Sequence, residues 1–399
     1  MRFVPHGITK DNFIYWVGLF FLLIESVMLI NEKVRIGNSV LMGTYVLTDD
    51  HDQLEYVYQL PPIPNIDSSI GVLFLAHGCS HSALDFWPKS NNALFCPTCT
   101  GLPVERNIVL RALSEEYVVV ALSSKNRETK CWSPADIPRA TKTIKRIRDE
   151  LNLPDIIPNF MIGASSGGSF VGSLAVHLNR KHHEEEITNK LIKNEEEKKK
   201  YFTGLHVYGI SIQVSVLPKQ YWGETEDLPP LIYVHMPKDQ RTTKLIDDSI
   251  KRIPNDNDQD NNTKENNRKN DPTSKTSLIK KIEKRTATPR TVTPDYFSNR
   301  ENSNYVNDPL SSKESKLIVG AFYLKGIVDN KGMLLSDPRE SNWRDAVLHA
   351  LPDIREVDSL VENESAISEL MNVAWGNHEI TDEFLDDVYD FFGLHNPLN

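Results

Sequence analysis

A chain of 399 residues holds one large α/β domain with insertions or two ordinary domains. Its 55 acidic residues outnumber its 45 basic ones, and the formal net charge of −10 argues against nucleic acid as a partner, since such proteins present a basic face. Hydrophobic content is 39%, lowered by a low-complexity stretch in the middle, so the rest of the chain still supplies a packed core.

From Phe13 to Ile30 the chain reads FIYWVGLFFLLIESVMLI, 18 residues with one charge, Glu25. A helix of about 20 apolar residues crosses a bilayer, and Tyr15 and Trp16 near one end suit the interface. No small-residue cleavage site follows. Residues 1–35 are therefore read as an N-terminal segment with an uncleaved transmembrane anchor, a cleaved signal peptide being the alternative. Arg2 and Lys10 before the span and Lys33 and Arg35 after it leave its orientation open. Residues 36–399 form the catalytic domain in this reading.

All four cysteines, Cys79, Cys96, Cys99 and Cys131, lie in the first third of the chain. An even, clustered set behind a targeting segment predicts disulfides, with three pairings open. The expected protein is single-pass, with its catalytic domain lumenal or extracellular.

Gly71–Ala76 (GVLFLA), Tyr117–Leu122 (YVVVAL), Phe160–Ile162, Leu205–Ile212 and Leu231–Met236 (LIYVHM) are apolar runs of strand length. Such runs suit strands buried on both faces of a parallel sheet. Amphipathic helices are predicted between them. One opens at Pro103, one carries Ile137, Ala140, Ile144, Ile147 and Leu151, and one carries Phe170, Val171, Leu174, Ala175 and Leu178. Strand and helix in alternation predict an α/β fold, a mainly parallel sheet covered on both faces.

Residues 181–200 are rich in Glu and Lys and read as a solvated helix or loop. Between Pro254 and Ser277 there is no apolar residue besides proline, and a disordered insert is expected over about 254–313. Leu317 to Ser368 is expected to form a cap beside the site. A final helix is predicted from about Thr381, carrying Phe384, Leu385, Val388, Phe391 and Phe392.

Gly163-Ala164-Ser165-Ser166-Gly167 matches G-x-S-x-G between an apolar strand and an amphipathic helix. In that context the glycines permit a tight turn that lifts the Ser165 hydroxyl above the sheet at a helix N-terminus, where developing negative charge is stabilised. Ser166 is the neighbouring alternative. A serine hydroxyl needs a base, and His378 stands late in the chain, after the apolar Val373 to Trp375 and before the final helix. The base is expected on the loop after the last strand. The acid that orients it is expected past the LIYVHM strand, where Asp239 stands, with Asp247 and Asp248 in reserve. The oxyanion donors are the backbone N–H groups of Ser166 and of Cys79, the latter in the loop His77-Gly78-Cys79-Ser80-His81.

With these residues in place the chain resembles the α/β-hydrolase superfamily from about Val57 to the C-terminus. More narrowly it resembles a group of membrane-anchored hydrolase-like proteins of plants and protists. That resemblance rests on HGCSHSALDFWPKS at 77–90, CPTCTGLP at 96–103, GASSGG at 163–168, VHMPKD at 234–239, DPRESNWR at 337–344 and NVAWGNHE at 372–379. It implies an α/β-hydrolase fold and a serine hydrolase acting on ester-like substrates, without metal or organic cofactor. It implies no particular substrate. A membrane anchor points to lipid or acylated compounds.

Two other readings compete. Cys96-Pro97-Thr98-Cys99 has the spacing of redox and zinc sites, to which Cys79, Cys131, His77 or His81 could add ligands. A catalytically inactive hydrolase fold could instead serve as a binding or scaffold protein at a membrane, which the presence of Ser165, Asp239 and His378 together opposes. Asn261 and Asn363 head glycosylation acceptor patterns.

Overall fold

The computed structural model describes residues 41–398 apart from 50–51, 64–65, 67–68, 91–94, 192–204, 224–225, 254–281, 299–309 and 353–364. The span expected at 13–30, Asn261 and Asn363 lie outside the described residues, among which no helix is long and apolar enough to cross a membrane.

Among the described residues, eight strands form one sheet in the order β1-β2-β4-β3-β5-β6-β7-β8. They are β1 Thr44–Leu47, β2 Glu55–Gln59, β3 Gly71–Ala76, β4 Tyr117–Leu122, β5 Asn159–Ala164, β6 Val207–Gln213, β7 Leu231–His235 and β8 Ile282–Thr286. From β4 to β8 every pairing is parallel, and β1 and β2 add an antiparallel edge. The five strands expected from apolar runs are β3 to β7.

Their continuous hydrophobicity has a direct cause. Along β3, Leu73 and Leu75 join one core with Val104 and Ile108 of α1 (Pro103–Ser114) and Val388 and Phe392 of α8 (Leu385–Leu394). Val72, Phe74 and Ala76 point the other way, into a second core with Ile144 and Ile147 of α2 (Ile137–Glu150) and Val171 and Leu174 of α3 (Ser166–Leu191). Side chains alternate across a strand, so a strand covered on both faces needs apolar residues at every position. Burying one Val, Leu or Phe contributes roughly 1.5–3 kcal/mol.

Three expectations are corrected. The low-complexity insert does not run unbroken from 254 to 313, because Ile282–Thr286 pairs in parallel with β7. The segment looked unstructured because it is a charged edge strand. Lys284 pairs with Asp247 of α4 (Gln240–Arg252) at 2.6 Å, and Arg285 pairs with Glu283 at 2.7 Å and with Asp387. Charge on an edge strand discourages pairing with other chains. The apolar Val373 to Trp375 is not the approach to His378 from a strand. It is the last turn of α7 (Ala366–Trp375), which ends at Gly376 in the left-handed conformation (φ +77°). The final helix begins at Leu385 rather than near Thr381.

Between β8 and His378 the chain builds a cap with its own core. Val292 and Phe297 pack with Ile318 and Phe322 of α5 (Ser312–Lys325), Trp343 and Val347 of α6 (Trp343–Ala350), and Leu370 and Met371 of α7. The cap expected over Leu317 to Ser368 is therefore broader, beginning near Val292 and ending in α7.

Candidate active site

β5 runs out at Ala164 in the middle of the sheet, and α3 begins at Ser166. Ser165 between them has φ +51°, a left-handed conformation that a non-glycine residue holds at a cost of about 1–3 kcal/mol. The flanking glycines show why the turn closes. A Cβ on Gly163 would lie 2.3 Å from the Gly167 carbonyl oxygen, and one on Gly167 would lie 2.3 Å from that of His77. The Ser165 N–H donates to the Gln213 carbonyl of β6 at 2.9 Å.

The Ser165 Oγ lies 2.9 Å from His378 Nε2, and His378 Nδ1 lies 2.6 Å from Asp239 Oδ2. Asp239 stands just past β7 as the N-cap of α4, where its side chain accepts from the Thr242 N–H at 3.0 Å. Burial pushes its carboxyl up, but the bonds from His378 and Thr242 outweigh that and hold it at about 2. Asp239 is thus an anion at neutral pH and accepts from His378 Nδ1–H, which leaves the Nε2 lone pair facing Ser165. The Asp239 and His378 loops are tied by the Lys238 N–H, which donates to the Gly376 carbonyl at 3.0 Å. Asp247 and Asp248 lie further along α4, and Asp247 is occupied by Lys284. The Ser166 Oγ accepts from the Trp132 N–H at 3.4 Å.

Arg339 of the cap reaches the same loop. Its guanidinium donates to the carbonyls of Asn377 and His378, both at 3.2 Å, and to Glu379 Oε2 at 3.4 Å. Asn372 also donates to Glu379 Oε2, at 3.0 Å, and Asn377 donates to Asp337 at 3.3 Å. The sequence offers Asp337-Pro338-Arg339 only as a resembling stretch, with no role. No local pattern announces an arginine whose acceptors lie 38 and 39 residues away.

The loop after β3 passes close to Ser165, since a Cβ on Gly78 would sit 3.6 Å from the Ser165 Cβ. Several contacts hold it. The Ser124 N–H donates to His77 Nε2 at 3.1 Å, so Nδ1 carries the ring proton and donates to the Gly78 carbonyl at 2.6 Å. The Trp132 indole N–H donates to the His77 carbonyl at 2.9 Å. Cys79 is disulfide-bonded to Cys131. Complete burial lowers the His77 pKa to about 4, which keeps the ring neutral in this arrangement. Cys96 and Cys99 form the second disulfide. No group of three or more His, Cys, Asp or Glu among the described residues could hold a metal ion.

A cleft of about 250 Å³ opens on Ser165 and His378. Cys79 and Gly78 line it, and so do His81, Glu105, Arg339 and Glu379. Glu105 comes from the first turn of α1 and Glu369, beside it, from the first turn of α7. Burial, and then the Glu369 carboxyl, raise Glu105 well above the usual carboxylate range. Burial pushes His81 down, but its 3.3 Å contact with Asp85 and the nearby acids outweigh that and raise it.

No known family profile matches this sequence, and no curated protein matches it. Solved structures do. A thermostable esterase is 13% identical with a TM-score of 0.31, over 53% of this chain and 52% of its own. Esterase B of Lactobacillus rhamnosis, held with a tributyrin phosphonate inhibitor, is 11% identical with a TM-score of 0.33, over 61% and 81%. A serine hydrolase of Xanthomonas campestris without a lid is 10% identical with a TM-score of 0.31, over 54% and 83%. The chain spans about half the length of the first of these. At such scores the likeness says nothing of substrate.

Proposed function

We propose that this protein is a serine hydrolase that cleaves carboxylic ester-like bonds through an acyl-enzyme. The observation that carries this reading is the continuous hydrogen-bonded line from Ser165 through His378 to Asp239, which opens on a cleft. Ser165 Oγ attacks the ester carbonyl carbon as His378 Nε2 takes its proton. Asp239 stabilises the imidazolium that forms. The N–H groups of Cys79 and Ser166 receive the oxyanion. Collapse of the tetrahedral adduct breaks the bond to the alcohol, which leaves with the proton from His378. His378 then takes a proton from water, the hydroxide attacks the acyl carbon, and Ser165 regains its proton as the acid departs.

The reading extends to location. The apolar segment at 13–30 anchors the protein in a membrane, and its catalytic domain lies on the lumenal or extracellular side. Two disulfides favour that side, because cytosolic thiols are kept reduced. The cleft favours a small ester over a long acyl chain. Its volume lies below the roughly 300–1,000 Å³ usual for ligand pockets, and much of its wall is ionisable.

Purified protein treated with a fluorophosphonate probe should be labelled, and Ser165→Ala should not. A folded wild-type protein that takes no label overturns the reading and turns attention to the inactive scaffold alternative.

A further inference from the structure

His81 repeats the arrangement of His378. Its Nδ1 lies 3.3 Å from Asp85 Oδ2, as His378 Nδ1 faces Asp239, so in both rings Nδ1 holds a proton against a carboxylate and Nε2 points elsewhere. The His81 Nε2 has no partner among the described residues, yet it is not sealed off, and the side chain is 11% exposed. The local fold has no need of that nitrogen. Ser82 caps the short helix Ala83–Phe86, and Asp85 returns the bond by accepting from the Ser82 N–H at 2.8 Å. The cleft that His81 lines is the one that opens on Ser165 and His378.

A tight turn sets the ring there. Ser80 takes φ +67°, and the His81 N–H donates to the Gly78 carbonyl at 3.4 Å, so the chain doubles back. A Cβ on Gly78 would lie 3.8 Å from His81 Cδ2, the carbon bonded to Nε2, and 3.6 Å from the Ser165 Cβ. The Nε2 edge of His81 and the Ser165 side chain therefore flank one small space. Cys79, whose N–H is a proposed oxyanion donor, stands in the same turn. A neutral ring with its proton on Nδ1 has none on Nε2, so Nε2 donates only while the imidazole is protonated. Burial opposes that state, but Asp85, then Glu379 of the His378 loop and Glu369 of α7, outweigh burial and raise the ring above its ordinary value. His77, on the β3 side, stays neutral. Glu105 and Arg339 also line the cleft, and Arg339 is engaged by Glu379.

We propose that His81 is a further catalytic residue, whose Nε2–H donates to the oxyanion beside the N–H groups of Cys79 and Ser166, and that Asp85 is its positioning residue. This rests on the hydrolase reading and gives its oxyanion site a third donor. The contact is a hydrogen bond without proton transfer, and His378 alone carries the proton of the reaction. Such a donor acts when charge has developed on the ester oxygen, so it lowers the barrier and leaves ground-state binding nearly unchanged.

The test is steady-state hydrolysis of 2-naphthyl acetate by the full-length protein as a function of pH, with fluorophosphonate labelling of Ser165 alongside. The wild-type kcat should rise with pH as the base at His378 is freed, and fall again at alkaline pH as His81 loses the proton on Nε2. His81→Leu should lose roughly 100-fold in kcat, the effect of removing one oxyanion donor, with KM changed by less than about twofold. His81→Gln keeps an uncharged N–H near the Nε2 position, so it should recover about tenfold of that loss and show no alkaline fall. Asp85→Asn should move the fall to lower pH, a shift that a merely structural role for His81 would not produce. A kcat for His81→Leu within about twofold of wild type, or an alkaline fall that persists in His81→Gln, overturns the assignment, while labelling of Ser165 keeps the hydrolase reading. Should His81→Leu not fold, the pH profiles of His81→Gln and Asp85→Asn decide. A folded wild-type protein that neither takes the label nor cleaves the ester overturns both, since an oxyanion donor has no role without acyl transfer.

Discussion

Ser165 and His378, the proposed nucleophile and base, are held by different means. Ser165 is fixed by covalent geometry and close backbone packing. It sits between a central strand and a helix, with glycines where no side chain fits, beside a loop stapled by Cys79–Cys131. His378 follows a left-handed glycine at the end of a cap helix, donates to Asp239, and sits on a loop that accepts hydrogen bonds from Lys238 and Arg339. The first arrangement is rigid because alternatives clash. The second is specific because several long-range partners agree, so it can be weakened in steps.

The largest effect should come from breaking the line that joins the two sides. Ser165→Ala and His378→Ala should each lower kcat by on the order of 10⁴-fold, and the double variant should be no worse than either, because the two act as a unit. Additive losses in ester hydrolysis kinetics would mean that they do not.

The nucleophile side should depend on its staple. The Cys79–Cys131 bridge closes a loop with a sequence separation of 52, and Cys96–Cys99 one with a separation of 3. Loop-closure entropy assigns about 4 kcal/mol to the first and under about 2 to the second. Replacing Cys79 and Cys131 by serine should therefore lower the urea midpoint well below that of the Cys96 and Cys99 double variant. Equal midpoints would remove the bridge from the account of that side.

Acid should loosen the same region. His77 has a folded pKa of about 4, below its unfolded value near 6.5, so the unfolded chain binds more protons between these values. Its contribution is present above about pH 6.5 and is lost as pH falls towards 4, on the order of 3 kcal/mol in all. His77→Gln should flatten urea stability against pH across that window. Asp239, held at about 2, should contribute down to more acidic pH and be lost as pH falls through that value.

The smallest effect should fall on the histidine side. Arg339→Met removes donors to the Asn377 and His378 carbonyls but leaves the triad atoms in place. About a tenfold loss in kcat is expected, with KM for a neutral ester little changed and Arg339→Lys restoring part of it. A thermal melt unchanged within about 2 °C beside that loss would separate positioning of His378 from general stability.

How much of this was legible in sequence follows from the same contrast. The elbow is a local object. Strand, glycines, serine and helix lie within a few residues, and each obeys a steric rule that a sequence displays. Asp239 and His378 were legible by place and order, and the structure brings both to Ser165. The Cα register of β8, the cysteine pairing, the cap core and the approach of Glu369 to Glu105 were not.

Sequence alone determined β3 to β7, because a strand buried on both faces must be apolar at every position, and it determined the turn at Ser165, because only glycine fits where backbone meets backbone. Tertiary structure decided the partners of the polar groups. Val104 meets Glu369 across 265 residues, and Arg339 meets His378 across 39. A hydrogen bond or an ion pair needs only proximity in space and leaves no period in the chain. The hydrophobic pattern therefore predicts the sheet, while the bounds and core of the cap, the charged edge strand and the acid pair appear only once the chain is folded.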